Sequence, residues 1–263
     1  MRRTVSARLE LEVHGPTSLA LMVAVASGAN LVTETLEVRR GGAVLPVEEL
    51  VDVHGSRIHR LESDAGLVTV DYRAEVAGRT APPPHDELDP IVYLRPSRYC
   101  ESDVLLRFAR DEFAGASGLA LLDAVVGWVS HRLEYVAGSS TGTDSALHTL
   151  EARAGVCRDY AHLVIALLRA LDVPARMVAV YAPGLTPMDF HAVVEAWVDE
   201  RWWLVDATHL APRTGMLRIA TGRDAADIAF LTSHGTDLDL RDVTVTATAD
   251  PLPPDEVTET SLG

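Results

Sequence analysis

The hydrophobic period of the chain changes sharply at residues 78–90, and that change restricts the folds open to it. The segment reads GRTAPPPHDELDP, and its three consecutive prolines hold the backbone extended and remove donors from it. Before it, apolar residues alternate. VSARLELEV sets Val5, Ala7, Leu9, Leu11 and Val13 on one side, the pattern of a half-buried strand. LALMVAVA reads as a continuous apolar strand, LVTETLEVRR alternates again, and shorter runs follow at AVLPV, SRIHRLE and GLVTVDYRAEV. Turn residues between them (Gly15-Pro16, Gly28, Gly55, Gly66) give the spacing of an antiparallel sandwich or barrel. Past the prolines the spacing becomes helical. Helices are predicted over SDVLLRFARDEFA, with Ser102 as N-cap, and over SGLALLDAVVGWVSHRLEYV, DSALHTLEAR and CRDYAHLVIALLRALD. Then come three strands, PARMVAVYA, DFHAVVEAWVD and RWWLVDAT, the last two joined by a hairpin at DER, and a final strand at DLRDVTVTATA. Helices followed by consecutive strands predict an α+β fold rather than an alternating βαβ one. The expected division is an N-terminal antiparallel β-sandwich over 1–80, a Pro-rich linker over 81–98, a second domain over 99–250 and a flexible tail over 251–263.

Composition narrows the class. With 263 residues the chain is long enough to bury a substantial core. Its 23 arginines face 38 acidic residues, giving a formal charge of −15 with no basic run. Such a surface argues against nucleic acid and anionic membrane as main partners. Lysine and glutamine do not occur in the chain. The two cysteines, Cys100 and Cys157, make no disulfide framework in a chain of this size, so a reducing compartment is expected. Leu19 to Ala26 is too short to cross a bilayer, and Arg8, Glu10 and Glu12 interrupt what a signal peptide needs to be apolar. The expectation is a cytoplasmic protein without membrane association.

Cys157 carries the chemical interest. A helix from Cys157 to about Asp172 puts it in the first turn, where free N–H groups and the positive end of the dipole favour a thiolate. By itself a lone cysteine is more often a small buried filler. Asp159 suits the positive helix end, and with Arg158 it reads as support for the helix start. His162, on the same helix, reads as a buried, hydrogen-bonded histidine. Downstream, His191 opens one strand and Asp206 ends the next. Folding that hairpin about Glu200 brings them to roughly opposed positions, where a carboxylate orients an imidazole base. Cys157, His191 and Asp206 therefore converge on one site. Cys157, His162 and His191 match no familiar zinc spacing, and GRDAAD lacks the lysine of a phosphate loop, so neither a metal nor a cofactor is expected.

The stretches RAGVCRDYAHLVIALLRALDVPARMVAVYAP and HAVVEAWVDERWWLVDAT resemble the transglutaminase-like superfamily, which includes transglutaminases, bacterial cysteine proteases and amidases, and peptide N-glycanases. They are most similar to bacterial members with a β-sandwich ahead of a papain-like catalytic domain. YLRPSRYCESD and ATGRDAADIAFLTSHG resemble connecting segments of that group, so the resemblance spans roughly residues 91–248. It implies an N-terminal antiparallel β-sandwich followed by a papain-like/transglutaminase-like catalytic core, helices packed on an antiparallel sheet. It also implies Cys157 as nucleophile, His191 as base and Asp206 as its orienting partner. Val193 stands where the family often has tryptophan and Ala207 where it often has proline, two changes expected at the cleft wall. The implied function is thiol-dependent acyl transfer on a protein or peptide substrate, with hydrolysis of peptide or amide bonds preferred. Isopeptide-forming transglutamination and a non-catalytic binding module are the alternatives. The oxyanion needs donors: the Cys157 N–H is the first, and Tyr135 and Trp128 are candidates for the second.

Overall fold

The computed structural model describes residues 1–79, 86–254 and 262. Seven strands lead: β1 (Arg2–Val13), β2 (Thr17–Leu21), β3 (Leu31–Arg40), β4 (Ala43–Val44), β5 (Glu48–Val51), β6 (Arg57–Ser63) and β7 (Gly66–Ala77). A helical stretch follows, with α1 (Asp89–Val92), α2 (Ser102–Glu112), α3 (Gly118–Arg132), the short strand β8 (Glu134–Tyr135), α4 (Ala146–Ala152), β9 (Ala154–Gly155) and α5 (Cys157–Ala170). The chain then runs through β10 (Ala175–Tyr181), β11 (Phe190–Val198), β12 (Arg201–Val205), β13 (Leu217–Gly222), β14 (Leu231–Gly235) and β15 (Leu238–Asp250). The class is the α+β one expected.

Alternation builds the sandwich. β1 and β7 are each 12 residues long and bury nearly every second side chain. Their antiparallel register sets Leu9 opposite Val70 and Leu11 opposite Val68, so the two inward rows coincide. The sheet β15-β1-β7-β3-β4 shares one apolar core with the sheet β14-β2-β6-β5. A third sheet, β12-β11-β10-β13, carries α5 on one face, with α2, α3 and α4 packed around that helix. Enclosed on all sides, α5 buries every residue from Asp159 to Ala170.

The structure redraws the expected boundaries. β14 pairs with β2, and β15 pairs with β1 from Arg2–Asp250 to Val13–Leu238. Residues 231–250 therefore complete the first unit instead of closing the second. A period of two marks a half-buried strand but carries no address for its partner, and that is why the assignment of residues 231–250 to the second domain fails. The three prolines of the expected linker lie outside the described residues. Beyond them Asp89 and Tyr93 are each only 3% exposed, so these two side chains anchor the stretch around α1 to the core. In the expected tail, residues 255–261 and 263 lie outside the described residues, while Leu262 is buried with Val178, Val180 and Leu204.

LALMVAVA also differs from expectation. The strand ends at Leu21, and the next five residues run along the seam between the sandwich and the third sheet. Met22 N–H donates to the Phe230 carbonyl (3.0 Å), the Tyr181 hydroxyl donates to the Val23 carbonyl (2.6 Å), Val25 N–H donates to the Tyr72 hydroxyl (2.9 Å) and Ala26 N–H to the Arg218 carbonyl (2.9 Å). The run is apolar throughout because both of its sides are covered. Nearby, Glu195 of β11 lies buried between Arg176 (2.8 Å) and Arg218 (3.1 Å), and Arg176 also holds Asp89 at 3.0 Å. Burial pushes the Glu195 carboxyl up, but the two guanidinium groups outweigh it and hold it down at about 2.

Candidate active site

The start of α5 is built by its neighbours in sequence. Val156 is extended and Cys157 is the first helical residue. Asp159 reaches back: its Oδ2 accepts the Val156 N–H at 2.8 Å and its Oδ1 accepts the Ser140 hydroxyl at 2.9 Å. That satisfies a backbone donor at the helix start. Arg158 donates to Ser140 Oγ (2.7 Å) and to the Thr141 carbonyl (2.6 Å), tying the preceding loop to the same point. Gly155 permits the close fit, since a Cβ there would stand 2.6 Å from the Cβ of Asp159. Arg158 and Asp159 thus support the helix start as expected, and Cys157 stands half-buried at its tip.

His191 and Asp206 come together through the β11–β12 hairpin. Its two turn residues, Asp199 and Glu200, have φ of 51° and 58°, the positive values of a turn that matches strand twist. Val194 faces Val205, which brings Asp206 level with Val193, so the two groups are diagonal rather than opposed. The imidazole spans that offset: His191 Nε2 lies 2.8 Å from Asp206 Oδ2. The second carboxylate oxygen accepts the Thr208 N–H (2.9 Å) and hydroxyl (2.7 Å). Both groups are buried, at 2% and 4% exposure. His191 Nδ1 is buried and makes no hydrogen bond of its own, while the Cys157 side chain acts on the ring from the same cleft.

The charges reinforce one another. Burial pulls the His191 pKa down, but the Asp206 charge and hydrogen bond, together with Cys157, raise it to about 10. Burial pushes Asp206 up, and the paired imidazole and Thr208 bring it below the usual carboxylate value. At neutral pH the pair is an imidazolium held by a carboxylate.

Of the two aromatic candidates, the structure brings one to the site. Tyr135 sits on β8 beside Gly155 of β9, and its hydroxyl interacts with the backbone N–H and the sulfur of Cys157. Burial and then the Cys157 charge raise that hydroxyl to about 12. Trp128 is elsewhere: its Nε1 donates to Glu112 at 2.7 Å, and its ring packs on Phe108 and Phe113. Its helical spacing reads equally well as a core position, and that is the role it has. His162 is fully buried and neutral, its pKa lowered to about 3 by burial, and its Nε2 accepts the Ala225 N–H. Cys100 is buried in the core, and burial pushes its thiol up. Val193 and Ala207, expected at the cleft wall, are buried away from it. Among the described residues no group of three or more His, Cys, Asp or Glu side chains could hold a metal ion. No helix among them is long and apolar enough to cross a membrane.

Cys157 and His191 open into a cleft of about 410 Å³. Part of its wall escapes sequence reasoning. Met22, just past β2, and Leu231 of β14 reach it from the sandwich, and Phe230 precedes β14. The unbroken apolar run around Met22 signals burial on two sides, but nothing in it says against what.

Comparisons with known proteins agree with this geometry. Residues 113–207, which hold Cys157, His191 and Asp206, match the model of the transglutaminase-like superfamily. A crystal structure from Cytophaga hutchinsonii, provisionally described as a cysteine protease, is 34% identical and superimposes with a TM-score of 0.86, covering 94% of this chain and 90% of that one. An uncharacterized protein of Mycobacterium leprae is 32% identical over 131 residues, 44% of this chain and 47% of its own length. A protein-glutamine gamma-glutamyltransferase of Pseudomonas aeruginosa is 37% identical over 109 residues, 37% of this chain and 15% of its own length. The chain thus spans less than half the length of these two curated relatives. With a family model seated on the cleft residues and a relative matched over nearly its whole length, the chain belongs to the transglutaminase-like superfamily.

Proposed function

We propose that the protein is a cysteine-dependent hydrolase that cleaves peptide or amide bonds through a thioester on Cys157. The reading is carried by the buried His191–Asp206 pair at 2.8 Å, whose remaining ring nitrogen is left to the Cys157 thiol at the mouth of a cleft. The Cys157 thiolate attacks the carbonyl carbon, an S–C bond forms, and the carbonyl oxygen takes the negative charge. The Cys157 N–H and the Tyr135 hydroxyl are the donors for that oxygen. As the C–N bond breaks, His191 gives its proton to the leaving nitrogen and the amine departs. Water then loses a proton to His191 and attacks the thioester. The C–S bond breaks, the carboxylic acid leaves, and the starting pair is restored. Asp206 fixes the direction of the ring and stabilises its charge throughout.

A second reading, transfer of the acyl group to an amine, is favoured by the similarity to the Pseudomonas aeruginosa gamma-glutamyltransferase. There a primary amine takes the place of water and the product is a new amide. Because Cys157 is only half-buried, at the mouth of the cleft, water can reach its thioester, and hydrolysis is the preferred outcome. The test follows products from peptide amides with and without excess primary amine, in wild type and Cys157→Ala. Free acid as the main product, lost in the variant, is expected. Amide as the main product would favour the second reading, and equal turnover by Cys157→Ala would overturn both.

A further inference from the structure

The cleft beside Cys157 has a wall whose chemistry selects a substrate. Phe190 immediately precedes His191 on β11, and its ring stacks on Phe230 with centroids 5.2 Å apart and planes 23° apart. Met22, Met177, Ile219 and Ile228 continue the lining. The charged side chains of the lining face other groups or solvent: Arg158 gives its Nη2 to Ser140 and Thr141 and holds its Nε 3.8 Å from Asp159, His191 is paired with Asp206, and Asp189 faces solvent. A charged or amide side chain placed on this wall loses its water without finding a partner, while an apolar one gains by burial. Two methionines make the wall adaptable to both aliphatic and aromatic shapes. Its volume, about 410 Å³, suits a bulky side chain with neighbouring backbone.

We propose that this cleft is a specificity pocket for a bulky apolar residue (leucine, methionine or phenylalanine) on the acyl side of the bond attacked by Cys157. The proposal rests on the reading of Cys157 as nucleophile and adds the substrate class. It also gives the sandwich a role. Met22 follows β2 and Phe230 precedes β14, two paired strands of one sandwich sheet, and the Met22 N–H donates to the Phe230 carbonyl at 3.0 Å, so that sheet extends one joined lip over the catalytic sheet. The N-terminal unit thereby sets which substrate is accepted.

The test uses capped peptide amides varied at the two acyl-side positions, read in two ways on the full chain. Turnover by wild type gives kcat/KM, and binding to Cys157→Ala, followed by calorimetry, reads the pocket without chemistry. Leucine and phenylalanine should exceed glycine and aspartate at least about tenfold in both readouts. Ala226 lines the cleft but is exposed, so Ala226→Trp narrows the pocket without entering the core. That variant should lose the phenylalanine preference about tenfold while iodoacetamide still labels Cys157 at the wild-type rate. Turnover without preference, or with aspartate or glycine favoured, overturns the pocket. Absence of all turnover sinks the hydrolase reading instead, and binding to Cys157→Ala then decides alone: equal affinity for all four residues overturns the pocket, and apolar preference upholds it.

Discussion

Replacing Asp206 by Asn isolates what the buried carboxylate does to the base. The change keeps the side-chain shape and an oxygen for Thr208, but removes the charge 2.8 Å from His191 Nε2. In the wild type burial opposes the imidazolium, and Asp206 with Cys157 more than reverses it, raising the ring to about 10 from an ordinary 6.5. That gap is the net preference for the charged ring after burial has opposed it, on the order of 5 kcal/mol. Without the carboxylate, burial is opposed by Cys157 alone, and the ring should be neutral at pH 7, titrating below its ordinary value. Stability follows with a definite sign. Because the folded pKa of His191 is raised, its contribution is full below about 6.5 and fades as pH climbs through about 10; because that of Asp206 is lowered, its contribution is present above about 3.8 and fades in acid. The pair therefore supports the fold across the neutral range. Asp206→Asn should cost about 3–5 kcal/mol at neutral pH, and less as pH is raised past about 10. Imidazole 15N resonances followed from mildly acidic to strongly alkaline pH read the charge of the ring, and urea unfolding reads the stability. A wild-type ring already neutral at pH 7, or a variant ring still charged there, would refute the reasoning.

Two further predictions rest on single contacts. Glu195→Gln leaves Arg176 and Arg218 buried without their shared counter-charge, and should destabilise the fold by about 3–5 kcal/mol in chemical unfolding; a loss under about 1 kcal/mol would mean the arginines find other partners. Tyr135→Phe removes the hydroxyl beside the Cys157 N–H and sulfur, and should lower kcat about 10²–10³-fold with little change in KM, whereas a purely packing role would leave kcat within a few-fold of wild type.

Much of this molecule is legible where one period reports one burial pattern. Alternation in VSARLELEV and GLVTVDYRAEV marks β1 and β7, and the apolar face of CRDYAHLVIALLRALD marks α5 with Cys157 at its tip. The convergence of His191 and Asp206 is readable because a short hairpin converts sequence distance into spatial distance, although the two-residue turn shifts the pair by one diagonal step. What the sequence does not carry is long-range choice. DLRDVTVTATA is plainly a strand, but its pairing with β1, more than 220 residues away, depends on which edge is open in three dimensions. The same limit hides Met22 and Phe230, whose roles exist only once the sandwich and the catalytic sheet are packed together. Trp128 and Tyr135 sit in similar local contexts, and only the pairing of β8 with β9 separates the one near Cys157 from the one on Glu112.

Trapping the acyl intermediate shows directly whether Cys157 is the nucleophile. An activated peptide ester is mixed with the protein, quenched in acid within the first turnover, and the digest is examined by mass spectrometry. One acyl adduct is expected, on the peptide carrying Cys157, with Cys100 unmodified in the buried core and no adduct in Cys157→Ala. Turnover of the same ester by Cys157→Ala at the wild-type rate, or an adduct on any other residue, would contradict Cys157 as the nucleophile.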